Sequence, residues 1–141
     1  MNTDAKTLTQ LEGDDWGPPP IEAPPSIRRC YELRNKPIQD MDIEDLRLLI
    51  GQDIGLSHLM PLAIGILEKD PIVRGEDYFG DLLASVLRAS HEYYQSNPDI
   101  KKRVGKIMET LPKAMDCLDY IDYDCTNEAI SEAFELFNSG Q

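Results

Sequence analysis

Apolar residues along this chain recur at steps of three and four, and nowhere alternate at period two for long enough to make a sheet. That spacing lines one face of a helix, whereas strict alternation marks a half-buried strand. The clearest case follows Asp42. Ile43, Leu46, Leu49 and Ile50 share a face, Asp42 is the side-chain cap, and Glu44 and Asp45 suit the positive end of the helix dipole. Gly51 is expected to supply the left-handed exit. Residues 56–69 carry Leu59, Met60, Ala63, Ile66 and Leu67, and Leu62 and Ile64 widen the stripe until nearly every side is apolar. Such a helix belongs at the centre of a bundle. Pro61 is read there as a first-turn residue or kink, and Gly65 as a place where another helix comes close. A stripe from Asp81 through Leu82, Leu83, Val86, Leu87 and Ser90 to Tyr93 and Tyr94 predicts one helix of about four turns. Asn97 before Pro98 opens the next, with Ile100, Val104, Ile107, Met108 and Leu111 on its inner face and Pro112 at its end.

The two ends of the chain are less regular. Ala114, Met115, Leu118 and Ile121 predict a short or interrupted helix, and Thr126 is expected to cap a last one carrying Ala129, Ile130, Ala133, Phe134 and Phe137. At the other end Pro18, Pro19, Pro20, Pro24 and Pro25 make residues 1–25 an extended arm with at most one short helical turn, which Leu8, Leu11 and Trp16 pin to the domain. Ser26 is read as the cap of a helix through Ile27, Cys30, Tyr31 and Leu33 that Pro37 stops, and the segment IVRGEDYFG as a loop. The fold class expected is all-α: a single-domain bundle of six or seven helices over residues 26–141, behind an N-terminal arm of residues 1–25.

Charge changes the picture from fold to partner. The 141 residues carry 26 acidic and 14 basic side chains, a formal net charge of −12. The imbalance is concentrated: residues 107–141 hold eight carboxylates and one cation, Lys113, a net of −7. A field of that sign repels nucleic acid and anionic lipid and attracts a basic protein. Within it, Asp116, Asp119 and Asp122 step by three, with Tyr120 and Tyr123 beside them. On one helix these aspartates would share an edge, in a run that ends at Asp124, and Glu128, Glu132 and Glu135 on one edge of the last helix would extend that surface. Two readings stand side by side, a solvated acidic face and a docking surface in which carboxylates steer and tyrosines supply contact area. Lys101, Lys102, Arg103 and Lys106, the one basic cluster, cover a single helical turn and read as a solvated face.

Chemistry is sparse. His58 and His91 are the two histidines, each inside a helical apolar pattern, and Cys30, Cys117 and Cys125 have no finger or ribbon spacing. Neither a catalytic centre nor a metal or other cofactor is expected, and the cysteines are read as reduced thiols, most of them buried. The longest apolar stretch, residues 59–67, is nine residues and includes Pro61, against about twenty for a bilayer span. With no cationic patch and apolar core at the start, the chain is expected in the cytoplasm.

The ordered succession TLTQLEGDDWGPPP, CYELRNKPIQDMDIEDLRLLIGQDIGL, LMPLAIGILEKDP and GEDYFGDLLASVLR resembles the helical immunity proteins of bacterial contact-dependent growth inhibition (CDI) systems. The resemblance spans residues 7–88 and is carried by LRxKP, EDLRxxIGQxxGL, PLA and GDLLxxVL in that order. It implies a non-catalytic antidote that binds the C-terminal domain of a cognate CDI toxin, in a complex expected to be 1:1, and blocks its active site. Many toxins of such systems are nucleases, RNases among them, and a nuclease must be basic to hold phosphates. The toxin-binding residues expected on this reading are Asp116, Asp119, Tyr120, Asp122, Tyr123, Asp124, Glu128 and Glu132, with no nucleic acid or membrane as partner. Two rivals remain open: an acidic adaptor for some other basic protein, and a small hydrolase built on His58 and His91.

Overall fold

The computed structural model describes residues 5–139, so the first four residues of the arm and the last two of the domain lie outside it. Eight α-helices run in order among them: α1 (Leu8–Glu12), α2 (Pro25–Leu33), α3 (Ile43–Gly51), α4 (Leu56–Lys69), α5 (Asp81–Leu87), α6 (His91–Ser96), α7 (Pro98–Met115) and α8 (Tyr120–Ser139). A 3₁₀ turn, Ile38–Asp40, joins α2 to α3. An isolated bridge between Arg74 and Phe79 is the sole strand-like pairing among the described residues. The chain is all-α. Against the six or seven expected, the arm adds one and the stripe of residues 81–94 divides into two, while the short helix expected through Ala114, Met115, Leu118 and Ile121 is not separate: Ala114 and Met115 close α7 and Ile121 lies in α8.

Caps explain most of the boundaries. Thr7 and Gln10 close a capping box on α1, and Gly13 ends it with φ of 64°. Asp42 and Asp45 do the same for α3. Pro25 opens α2 in place of Ser26, since a proline at the first helical position lacks only an amide that would be unpaired anyway. Gly51 stays helical. The left-handed exit falls later, at Asp53 (φ 57°) and Gly55 (φ 66°). Ser90 interrupts the expected four-turn helix: its hydroxyl accepts the Tyr93 amide at 3.2 Å while its own amide donates to Asp53 at 3.1 Å, starting α6 afresh. Pro112 does not end α7, because buried Leu111 and Met115 hold the last turn to the core beyond it.

Packing is organised around α5, which lies between α3 and α8, while α4 touches α3, α5 and α7, and α2 lies outside α3. The core gathers Leu33, Leu49, Ile50, Leu59, Met60, Ile64, Leu82 and Leu83 together with Leu8, so α1 of the arm is part of it. Close approach occurs at Gly55, where a Cβ would stand 2.8 Å from the Leu8 methyls, and not at Gly65, whose missing side chain faces open space. Of the cysteines only Cys30 is buried, which raises its thiol pKa; Cys117 and Cys125 are exposed, contrary to expectation.

The charged residues of the ordered motifs turn inward. Buried Arg34 pairs with Glu12 and donates to the Asp14 carbonyl at 2.6 Å, tying α1 and its exit to α2. Buried Asp45 accepts from Lys36 at 2.7 Å and Arg29 at 3.4 Å. Asp81, also buried, accepts three loop amides, from Gly75 at 2.7 Å, Asp77 at 3.0 Å and Tyr78 at 3.4 Å. Arg47 spans the remaining gap, bidentate on Glu44 and within 3.3 Å of Asp77 and 3.8 Å of Asp81. The contacts of Asp81 and Arg47 fix the loop before α5, and that loop positions α8.

Candidate partner-binding surface

The position of α8 is set at Gly80. Its φ of 86° suits glycine, and a Cβ there would stand 2.8 Å from Ile130 and 3.1 Å from Thr126, so the absent side chain lets α8 lie against the start of α5. Thr126 is therefore no cap. It is buried in the middle of the helix, and its hydroxyl donates to the Phe79 carbonyl at 2.7 Å. Ile130, Ala133 and Phe137 continue the inner face, and Phe137 meets Tyr94 edge-on at 5.0 Å.

The true start of the helix is Asp119, whose carboxylate accepts the Asp122 amide at 2.8 Å. Asp116 sits at the C-cap of α7. Asp116, Asp119 and Asp122 thus do not share an edge of one helix, because the chain turns at Cys117 and Leu118 and commits Asp119 to capping. Asp122 is half-buried in the first turn of α8, where its charge suits the dipole.

The outer face, opposite the buried stripe, carries Ile121, Asp124, Cys125, Glu128, Glu132, Glu135 and Leu136, all exposed. It runs for about 22 Å at the usual helical rise. Tyr120 is 80% exposed, Ile121 76%, Leu136 47% and Tyr123 43%. These are four of the six exposed large hydrophobic side chains among the described residues; the others are Trp16 and Ile21. Arg88 approaches Glu132 at 3.9 Å, whereas no cation among the described residues pairs with Asp124, Glu128 or Glu135. Ile121, expected on the apolar stripe of a short helix with Ala114, Met115 and Leu118, is instead exposed on α8, and Leu136 escaped the sequence reading; the phase of Thr126, Ile130, Ala133 and Phe137 turns both away from the buried stripe once α8 is extended back to Tyr120.

Two other charged surfaces are engaged by internal pairs. A cleft of about 280 Å³ is lined by Arg29, Asp42, Glu44, Asp45, Leu48 and Glu76, but Asp45 and Glu44 are engaged by Lys36, Arg29 and Arg47. In the basic cluster Arg103 grips Glu68 through two bonds, at 2.7 and 3.0 Å, and Lys101 lies over the Phe137 ring at 5.5 Å. The cluster therefore serves α4 and α8 contacts and is not simply a solvated face. His58 is on α4 and His91 on α6, where the latter's Nε2 lies 2.8 Å from the Leu136 carbonyl. Among the described residues no group of three or more His, Cys, Asp or Glu side chains is gathered to hold a metal ion, and no helix is long and apolar enough to cross a membrane.

Neither a curated protein nor a solved structure matches the chain. A family profile does: that of the CDI immunity proteins, over residues 10–104. The matched segment holds the inward-turned charges, Arg34, Asp45, Arg47 and Asp81, and stops before α8. With more than half of its length matched, the chain belongs to the CDI immunity proteins, whose partner is a cognate CDI toxin.

Proposed function

We propose that this immunity protein neutralises a basic nuclease domain at the C-terminus of its cognate toxin, in the cytoplasm and as a 1:1 complex, by laying the outer face of α8 across the substrate groove. The observation that carries this reading is the concentration on α8 of exposed aromatic and aliphatic side chains interleaved with Asp124, Glu128 and Glu135, with which no cation among the described residues pairs. Buried anchors ringed by charge are the composition of an interface core and its rim. A groove shaped for phosphates presents the matching cations. The position of α8 beyond the matched family segment supports the same reading, since residues outside the common scaffold are free to specify one toxin. Inhibition on this account is steric and electrostatic, with no bond made or broken.

Titration of the purified toxin domain tests it. Asp124→Lys with Glu128→Lys places two like charges against a basic surface and is expected to weaken binding on the order of 100-fold and to release toxin activity. Asp119 is left intact because its reversal would remove the cap of α8. Unaltered affinity in the double variant, with helicity preserved, would remove α8 from the interface.

A further inference from the structure

Trp16 and Ile21, the two exposed large apolar residues outside α8, belong to a segment with no regular structure, residues 13–24. It is nonetheless tethered along its length. The guanidinium of buried Arg34 lies 4.2 Å from the Trp16 ring centroid, and Tyr31 meets the same ring edge-on at 5.2 Å. Gly17, with φ of 72°, turns the chain, and its amide donates to the Asp15 carboxylate at 2.9 Å. Three successive prolines then restrict the backbone. Beyond them Arg28 on α2 donates to the Ala23 carbonyl at 3.1 Å and to the Ile21 carbonyl. The main chain around Ile21 is held, yet its side chain is 90% exposed.

A connector between α1 and α2 needs no apolar side chain at its tip. Fixing such a side chain in solvent lowers the entropy lost when a partner covers it, which is how preorganised contacts gain affinity. Asp14, Asp15 and Glu22 are exposed around it, residues 12–24 contain no lysine or arginine, and both nearby arginines are turned to backbone carbonyls. The outward charge is therefore acidic, as on α8. We infer that residues 14–22 are a second docking face for the same toxin, with Ile21 as the inserted knob and Trp16 as its flank; this rests on the toxin-binding reading above. Two copies of a chain of net −12 repel one another, which disfavours self-association through this patch. The arm packs on α2, and α2 is separated from α8 by α3 and α5. At 8–10 Å per step the axes of α2 and α8 are no more than about 30 Å apart, with the arm and the outer face of α8 lying beyond them, so one toxin domain that contacts both wraps around the edge of the chain.

Dissociation of the toxin complex distinguishes the possibilities, measured for wild type, Ile21→Asp and the Asp124→Lys, Glu128→Lys pair, with sedimentation of each free chain. Ile21→Asp is expected to speed dissociation at least tenfold while leaving the melting temperature and the mass of the free chain unchanged. Wild-type dissociation for Ile21→Asp, with the α8 pair weakened, would overturn this inference and leave the α8 reading standing. A change in free-chain mass in place of faster toxin release would overturn it in favour of a second copy. Wild-type dissociation for every variant would overturn both.

Discussion

Asp81 carries two jobs that the motif GDLL hides in one letter. As the first residue of α5 its carboxylate suits the helix dipole, and it also collects the amides of Gly75, Asp77 and Tyr78. Asp81→Asn keeps the volume but turns an NH₂ toward amides that need an acceptor. It is expected to lower unfolding free energy by about 2–4 kcal/mol, read from the urea midpoint, and an unchanged midpoint would mean the loop amides are satisfied by water. Thr126→Val removes the hydroxyl that serves the partly buried Phe79 carbonyl at nearly constant shape. A loss of about 1–3 kcal/mol is expected in the same assay, and a smaller one would show that this bond does not help set the place of α8.

At the scale of elements, residues whose caps and apolar phase agree were readable in advance: Asp42 for α3, Pro98 for α7, and the full extent of α4. The reading failed where a residue's local preference was outweighed by tertiary contacts. Thr126 has the chemistry of a cap but is claimed by Phe79, Pro112 has that of a stop but is bracketed by buried Leu111 and Met115, and Ser90 looks like one more stripe position but is fixed by Asp53. The acidic face suffered in the same way, since its three-step register assumed a helix through Cys117 where the chain turns. The inward network could not be read at all, because period and charge do not say which carboxylate meets which guanidinium. That network sets an acid limit on stability. The bidentate bond from Arg47 holds the Glu44 carboxyl below the usual glutamate range. The folded form therefore binds this proton later than the unfolded chain as pH falls. Its stabilising contribution is complete above the ordinary value of about 4.3 and is lost as pH drops through the lower folded value. Melting curves of Glu44→Gln are expected to show a lower plateau at neutral pH and a flatter acid limb; an acid limb identical to wild type would assign the loss to other carboxylates.

For the molecule as a whole, part of the charge is paired internally and the rest is offered outward. Arg34, Arg47 and Arg29 neutralise carboxylates around α2 and α3, while α8 and the arm keep acids and apolar side chains in solvent. A surface arranged in this way steers a basic partner over distances comparable to the Debye length, about 10 Å at 0.1 M salt and about 3 Å at 1 M. Association with the toxin is expected to slow steeply across that range while dissociation changes little. A salt-independent association rate would leave the acidic surplus without a role in encounter. The most direct test of the central claim is hydroxyl-radical footprinting of the chain alone and in the toxin complex. The account predicts that Ile121, Cys125 and Leu136 become protected together, and it is contradicted if all three react as in the free protein while protection appears elsewhere.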